Sequence, residues 1–65
     1  MKEQLIEMGF KEIKHWFYYE LNDGILFVRK RDSEVSFEDY QRGGLTLAHN
    51  ATIEQISNIL KSIQI

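Results

Sequence analysis

Two runs of aromatic and aliphatic residues, Trp16-Phe17-Tyr18-Tyr19 and Ile25-Leu26-Phe27-Val28, flank Asn22-Asp23-Gly24 and limit what the chain can fold into more than any other feature. Aromatic and β-branched side chains suit the pleated surface of a strand, and Asn-Asp-Gly has the chemistry of a tight reversal. The segment therefore predicts a β-hairpin. A strand with one wet face alternates apolar and polar residues, and these two do not. Both faces of the hairpin are apolar, so the rest of the chain must supply their cover.

Cover is scarce. The chain has 65 residues, which predicts one domain over residues 1–65, near the lower size limit for independent folding. It contains no cysteine and no proline, so neither a disulfide nor a thiolate-held metal supplements a small core, and association between copies is the supplement that remains. With 43% hydrophobic and 28% charged residues the composition is that of an ordinary globular domain and argues against disorder. A net charge of −2 lacks the basic excess that drives phosphate binding, which counts against a dedicated DNA-binding protein. Basic groups concentrate between Lys11 and Arg31 and acidic ones from Asp32 onward, a bias able to orient an encounter. No apolar run has the length of a membrane span, and Met1-Lys2-Glu3-Gln4 does not lead into a signal-peptide core. The expectation is a cytoplasmic protein with no membrane contact.

Ahead of the hairpin, Leu5, Ile6 and Met8 share one side of a short helix with Met1. Gly9 is placed to end that helix in the left-handed region, with Phe10 folding back onto the last turn. The first strand is expected over residues 10–21. Asn22-Asp23-Gly24 is expected as a three-residue loop with a left-handed glycine bulge. A second strand over 25–31 turns at Asp32-Ser33 into a third from Glu34 to about Tyr40, and Gly43-Gly44 breaks it. Leu45-Thr46-Leu47-Ala48 reads equally as a last edge strand or as the approach to a helix. Ile53, Ile56, Ile59, Leu60 and Ile63 recur at helical spacing, and Thr52 with Gln55 fits a capping box, with Asn50 as a rival cap. The fold class is α+β: a small antiparallel sheet of three or four strands with a helix at each end, in the order α-β-β-β-α.

If the first loop pairs Leu21 with Ile25, one face of the sheet holds Trp16, Tyr18, Leu26, Val28, Val35 and Phe37, and the other Phe17, Tyr19, Leu21, Ile25 and Phe27. The counts do not say which face is inner. Two short helices suffice to cover one face of a small sheet. The other is then left as an open aromatic surface, the usual mark of an interaction or self-association site. The alternative is one helix on each face, a three-layer monomer with no open face.

On this basis the expected function is non-catalytic protein binding, with a homodimer as the expected assembly. The expected binding residues are Trp16, Tyr18, Leu26, Val28 and Phe37, flanked by Lys30 and Arg42. The alternative is single-stranded nucleic acid, stacked on the aromatic sheet beside Lys11, Lys14 and Arg29-Lys30-Arg31. Asp32, Glu34, Glu38 and Asp39 follow directly and oppose phosphates.

Catalytic chemistry finds little footing. His15 and His49 lack any metal-ligand spacing, and no nucleophile elbow such as G-x-S-x-G is present. Glu20, Glu38 and Asp39 are carboxylates of the kind any acidic domain supplies. Gly43-Gly44 has no phosphate-cradling spacing, and a chain this short rarely encloses a pocket. No enzyme activity, cofactor or metal is expected.

The order helix, three strands, helix resembles the double-stranded-RNA-binding domain in layout. Where that family has a lysine-rich start to its second helix, this chain has Asn50-Ala51-Thr52-Ile53-Glu54, so the resemblance implies no RNA contact here. The opening Leu5-Ile6-Glu7-Met8-Gly9-Phe10, leading into the aromatic strand, resembles small uncharacterised proteins of bacteriophages and bacterial mobile elements. That resemblance implies an accessory or host-directed binding role and brings no site residues with it.

Overall fold

The structure is a computed structural model and describes residues 1–64. A helix α1 (Lys2–Glu7) is followed by five strands, β1 (Lys11–Glu12), β2 (Trp16–Glu20), β3 (Gly24–Arg29), β4 (Val35–Asp39) and β5 (Gly43–Ala48), and by a helix α2 (Ile53–Ile63). All neighbouring strands are antiparallel, and their spatial order follows the sequence, β1-β2-β3-β4-β5. The α+β class and the terminal helices are as expected from sequence, but the strand number is five.

The extra strands have local causes. The stretch expected as one strand over 10–21 is itself a hairpin, because Ile13 donates its N–H to the Trp16 carbonyl and the chain reverses at Lys14-His15. A strand of that length would be about twice the usual one. At the other end, Leu45-Thr46-Leu47-Ala48 belongs to β5. Its loop, Tyr40-Gln41-Arg42, closes on Gly43 at φ +87°, with the Asp39 carboxylate accepting from the Gln41 and Arg42 amides at 2.8 and 3.1 Å. A left-handed glycine thus closes this hairpin, whereas from sequence one is expected two hairpins earlier, at Asn22-Asp23-Gly24.

The β2–β3 hairpin corrects the expected register. Leu21 donates its N–H to the Gly24 carbonyl, so only Asn22 and Asp23 lie in the loop, and Tyr18 pairs with Phe27 and Tyr19 with Leu26. Gly24 has no positive φ; it opens β3 and is buried. One residue of register moves every side chain of a strand to the other face. Leu26 and Val28 therefore share a face with Phe17 and Tyr19, not with Trp16 and Tyr18. The next loop also differs, with Arg29 and Glu34 closing a four-residue Lys30–Ser33 connection in which Ser33 has φ +56°. This shift of two leaves the face assignments of β3 against β4 unchanged.

The core is a single cluster of Leu5, Phe10, Phe17, Leu26, Val28, Val35, Ala51, Ile56 and Leu60. It draws on both helices and on one face of the sheet, so the molecule has two layers. Each helix is secured as its sequence implies. Gly9, at φ +103°, and Phe10 return their amides to the carbonyls of Ile6 and Leu5, which closes α1 and buries Leu5 and Phe10 together. Thr52 accepts from the Gln55 amide at 3.1 Å, and the Gln55 side chain accepts from the Thr52 amide at 2.8 Å, completing the capping box of α2. The Phe10 and Tyr19 rings meet edge to face, and the Tyr19 hydroxyl accepts from Gln64, which joins the two helix ends above β2.

Candidate functional site

Because Phe17, Tyr19, Leu26 and Val28 turn inward, strand alternation sends Trp16, Tyr18, Glu20, Ile25, Phe27 and Arg29 to the face away from the helices. Among the described residues no element lies over that face. Phe27 is at its centre, paired with Tyr18 on β2 and Ser36 on β4. Its ring centroid is 5.7 Å from that of Trp16, in an edge-to-face contact, and 6.3 Å from that of Tyr18. The three rings are half-buried and meet at Phe27, and Ile13 beside them is exposed.

Ion pairs frame the rings. Arg29, cross-strand from Trp16, holds its guanidinium 5.9 Å from the Trp16 ring centre, within reach of cation–π attraction. Its Nε and Nη2 donate to the two oxygens of Asp32 at 2.9 and 2.7 Å, and Nη2 also donates to Glu34 at 3.1 Å. The Arg29 bonds hold the Asp32 carboxyl down at about 2, well below its ordinary 3.8, against partial desolvation and with help from the Glu34 amide. The same Asp32 bonds raise the Arg29 guanidinium. Beyond Glu34 lies His49, whose Nδ1 is 3.3 Å from Glu34 Oε2. Across the sheet, Lys11 pairs with Glu20 at 3.3 Å.

The residues expected to form one binding patch are distributed by the register. Trp16 and Tyr18 are on the open face. Leu26 and Val28 are fully buried under the helices, and Phe37 is half-buried on that same side against the core. Lys30 leaves the end of β3, donates to Glu12 at 2.6 Å and lies 5.3 Å from the Phe17 ring centre; with Lys2 it lowers the Glu12 carboxyl. Arg42 is in the β4–β5 loop at the opposite end of the sheet. The open face instead recruits Phe27, Ile25 and Arg29. The signal for them was a loop of two residues in place of three, since that single change moves Ile25 and Phe27 beside Trp16 and Tyr18.

The groups capable of chemistry are dispersed. His15 is exposed in the β1–β2 turn, its carbonyl accepting the Lys30 amide, and Asp39 is engaged with its own loop. Glu20 and Glu38 flank Ile25 at the edge of the open face. Among the described residues no three His, Cys, Asp or Glu side chains gather as a metal site, and no helix is long and apolar enough to cross a membrane. Comparisons with protein-family models, with curated proteins and with solved structures find no match.

Proposed function

We propose that this chain is a non-catalytic protein-binding module that engages its partner through the open face of the sheet, with Trp16, Tyr18 and Phe27 as anchors. One observation carries the reading: α1 and α2 share a single core on one side, so among the described residues the aromatic side has no cover. Clustered aromatic rings bordered by charged groups have the anatomy of a binding hot spot and its rim. The rim here alternates in sign, Lys11 with Glu20 and Arg29 with Asp32 and Glu34, which suits a polypeptide surface of mixed charge. With the resemblance of its opening segment to small phage and mobile-element proteins, the reading becomes that of a cytoplasmic accessory factor or host-directed inhibitor.

The three rings on one open antiparallel sheet also favour a second reading, stacking of single-stranded nucleic acid. Lys11 and Arg29 on this face are paired with carboxylates, so phosphates would have to displace those partners, and protein remains the first reading.

Both readings meet one experiment. Affinity capture followed by mass spectrometry should recover a partner with the wild-type chain and with Lys61→Ala on the far side, and lose it with Trp16→Ala/Tyr18→Ala, while circular dichroism shows the variant folded. Equal recovery by the double variant sinks the protein-binding face. Binding of an oligothymidylate at low salt, monitored by the single tryptophan and weakening steeply with added salt, would establish the nucleic-acid reading instead.

A further inference from the structure

We propose that β5 is a self-association edge, and that two copies of the chain join through antiparallel β5–β5 pairing into one continuous ten-stranded sheet. This does not rest on the aromatic face, which the pairing leaves open.

β5 is the last strand of the sheet, so among the described residues one side of its backbone has no strand to bond. Sheet edges are ordinarily protected by shortness, charge or proline, because an unprotected edge is a template for another strand. The two edges of this sheet differ in that respect. β1 has two residues, both charged, and Lys14 follows in its turn. β5 has six, Gly-Gly-Leu-Thr-Leu-Ala, with neither charge nor proline. Leu45 on β5 is 62% exposed and Leu47 is 37% exposed. Leu45 is cross-strand from Phe37, which packs on the core, so it sits at the rim of the helix-covered layer. The bulge in the β4–β5 pairing falls at Leu47, toward the end of the strand, and leaves Gly43 to Thr46 in regular register.

The occupant that fits is a second copy. An antiparallel pairing of identical strands brings residues near the axis beside their own copies, and β5 carries no charge there to repel. Pairing about Thr46 sets Leu45 of each chain opposite Leu47 of the other, so four exposed leucines cover one another. The same two-fold crossing brings the start of β5 in one chain against the end of β5 in the other. Arg42 stands at the start with no ion pair among the described residues, and Glu34 lies at the end beside His49. Each Arg42 is thus brought toward the end of the sheet where the other chain's Glu34, already bonded to Arg29, lies, and the relation repeats across the axis as an isologous contact requires. A core this small gains from such a contact, having no covalent supplement.

Sedimentation over a concentration series should show the wild-type chain passing from 7.7 kDa to twice that mass. Leu45→Lys/Leu47→Lys and Leu45→Glu/Leu47→Glu should each be folded and monomeric, and an equimolar mixture should recover the dimer. Hydrogen exchange on the wild-type chain, which needs no variant, should show protection rising with concentration at the amides of residues 43–48. Trp16→Ala should leave the dimer intact. A wild-type monomer at every concentration overturns the proposal. So does a dimer that survives both charged variants, or one that is lost with Trp16→Ala while residues 43–48 exchange independently of concentration.

Discussion

Gly24 lies directly against the backbone of Glu38: a β-carbon on Gly24 would collide with the Glu38 carbonyl oxygen and stand 2.7 Å from the Phe37 ring. The glycine at the start of β3 is thus a requirement of close approach to β4, not of a left-handed turn. Gly24→Ala must push β4 away or move Phe37 off the core. The expected cost is about 1–3 kcal/mol, the range for overpacking a tight site, read from urea unfolding midpoints. Unchanged stability would mean that β3 and β4 are not this close.

Neighbouring residues of β3 give the sharpest test of the hairpin register. Leu26 is fully buried in the core and Ile25 is on the open face between Glu20 and Glu38. Leu26→Ala should cost about 2–5 kcal/mol, as deletion of a buried leucine does. Ile25→Ala should cost much less, since its side chain has no helix above it. A slip of one residue would reverse the order, so the ranking of the two melting temperatures decides the register.

The same slip marks the limit of what was legible in the sequence. Both helices could be read, because Ile56 and Leu60 repeat at helical spacing and Gly9, Thr52 and Gln55 supply explicit stop and start chemistry. An open sheet face was also legible, as an excess of apolar strand surface over helix surface. Its membership was not, because Trp16-Phe17-Tyr18-Tyr19 and Ile25-Leu26-Phe27-Val28 are apolar at successive positions and offer no alternation to fix the pairing. Only the loop length decided it, and Asn22-Asp23-Gly24 fits a loop of two or three residues equally well. The reversal at Lys14-His15 was hidden for a related reason: it contains no glycine, proline or asparagine, and backbone pairing alone sets it.

Thr52 closes the first turn of α2 through reciprocal bonds with Gln55. Thr52→Ala removes the hydroxyl acceptor and leaves the Gln55 amide to water, which should lower stability by about 1 kcal/mol. Asn50, the rival cap, has φ +50° and lies outside the helix, so Asn50→Ala should lower stability through left-handed strain and not through the cap. Gly is the informative replacement at Asn50, since it accepts the left-handed conformation and should be tolerated. Thermal melts of the three variants test the assignment.

Asp32 links the rim of the aromatic face to pH. Its carboxyl is held at about 2 in the folded chain, chiefly by the Arg29 guanidinium, against an ordinary 3.8. A carboxyl lower in the folded than in the unfolded state binds fewer protons when folded. Its contribution is therefore fully present above the ordinary value and is lost as pH falls toward about 2. Asp32→Asn should destabilise the chain at neutral pH and flatten the acid side of its stability profile over that interval. The carboxylate also helps hold Arg29 beside the Trp16 ring, so the substitution should alter Trp16 emission in the folded protein. A profile that keeps its wild-type slope between about 3.8 and about 2 would assign the acid sensitivity to a different carboxylate.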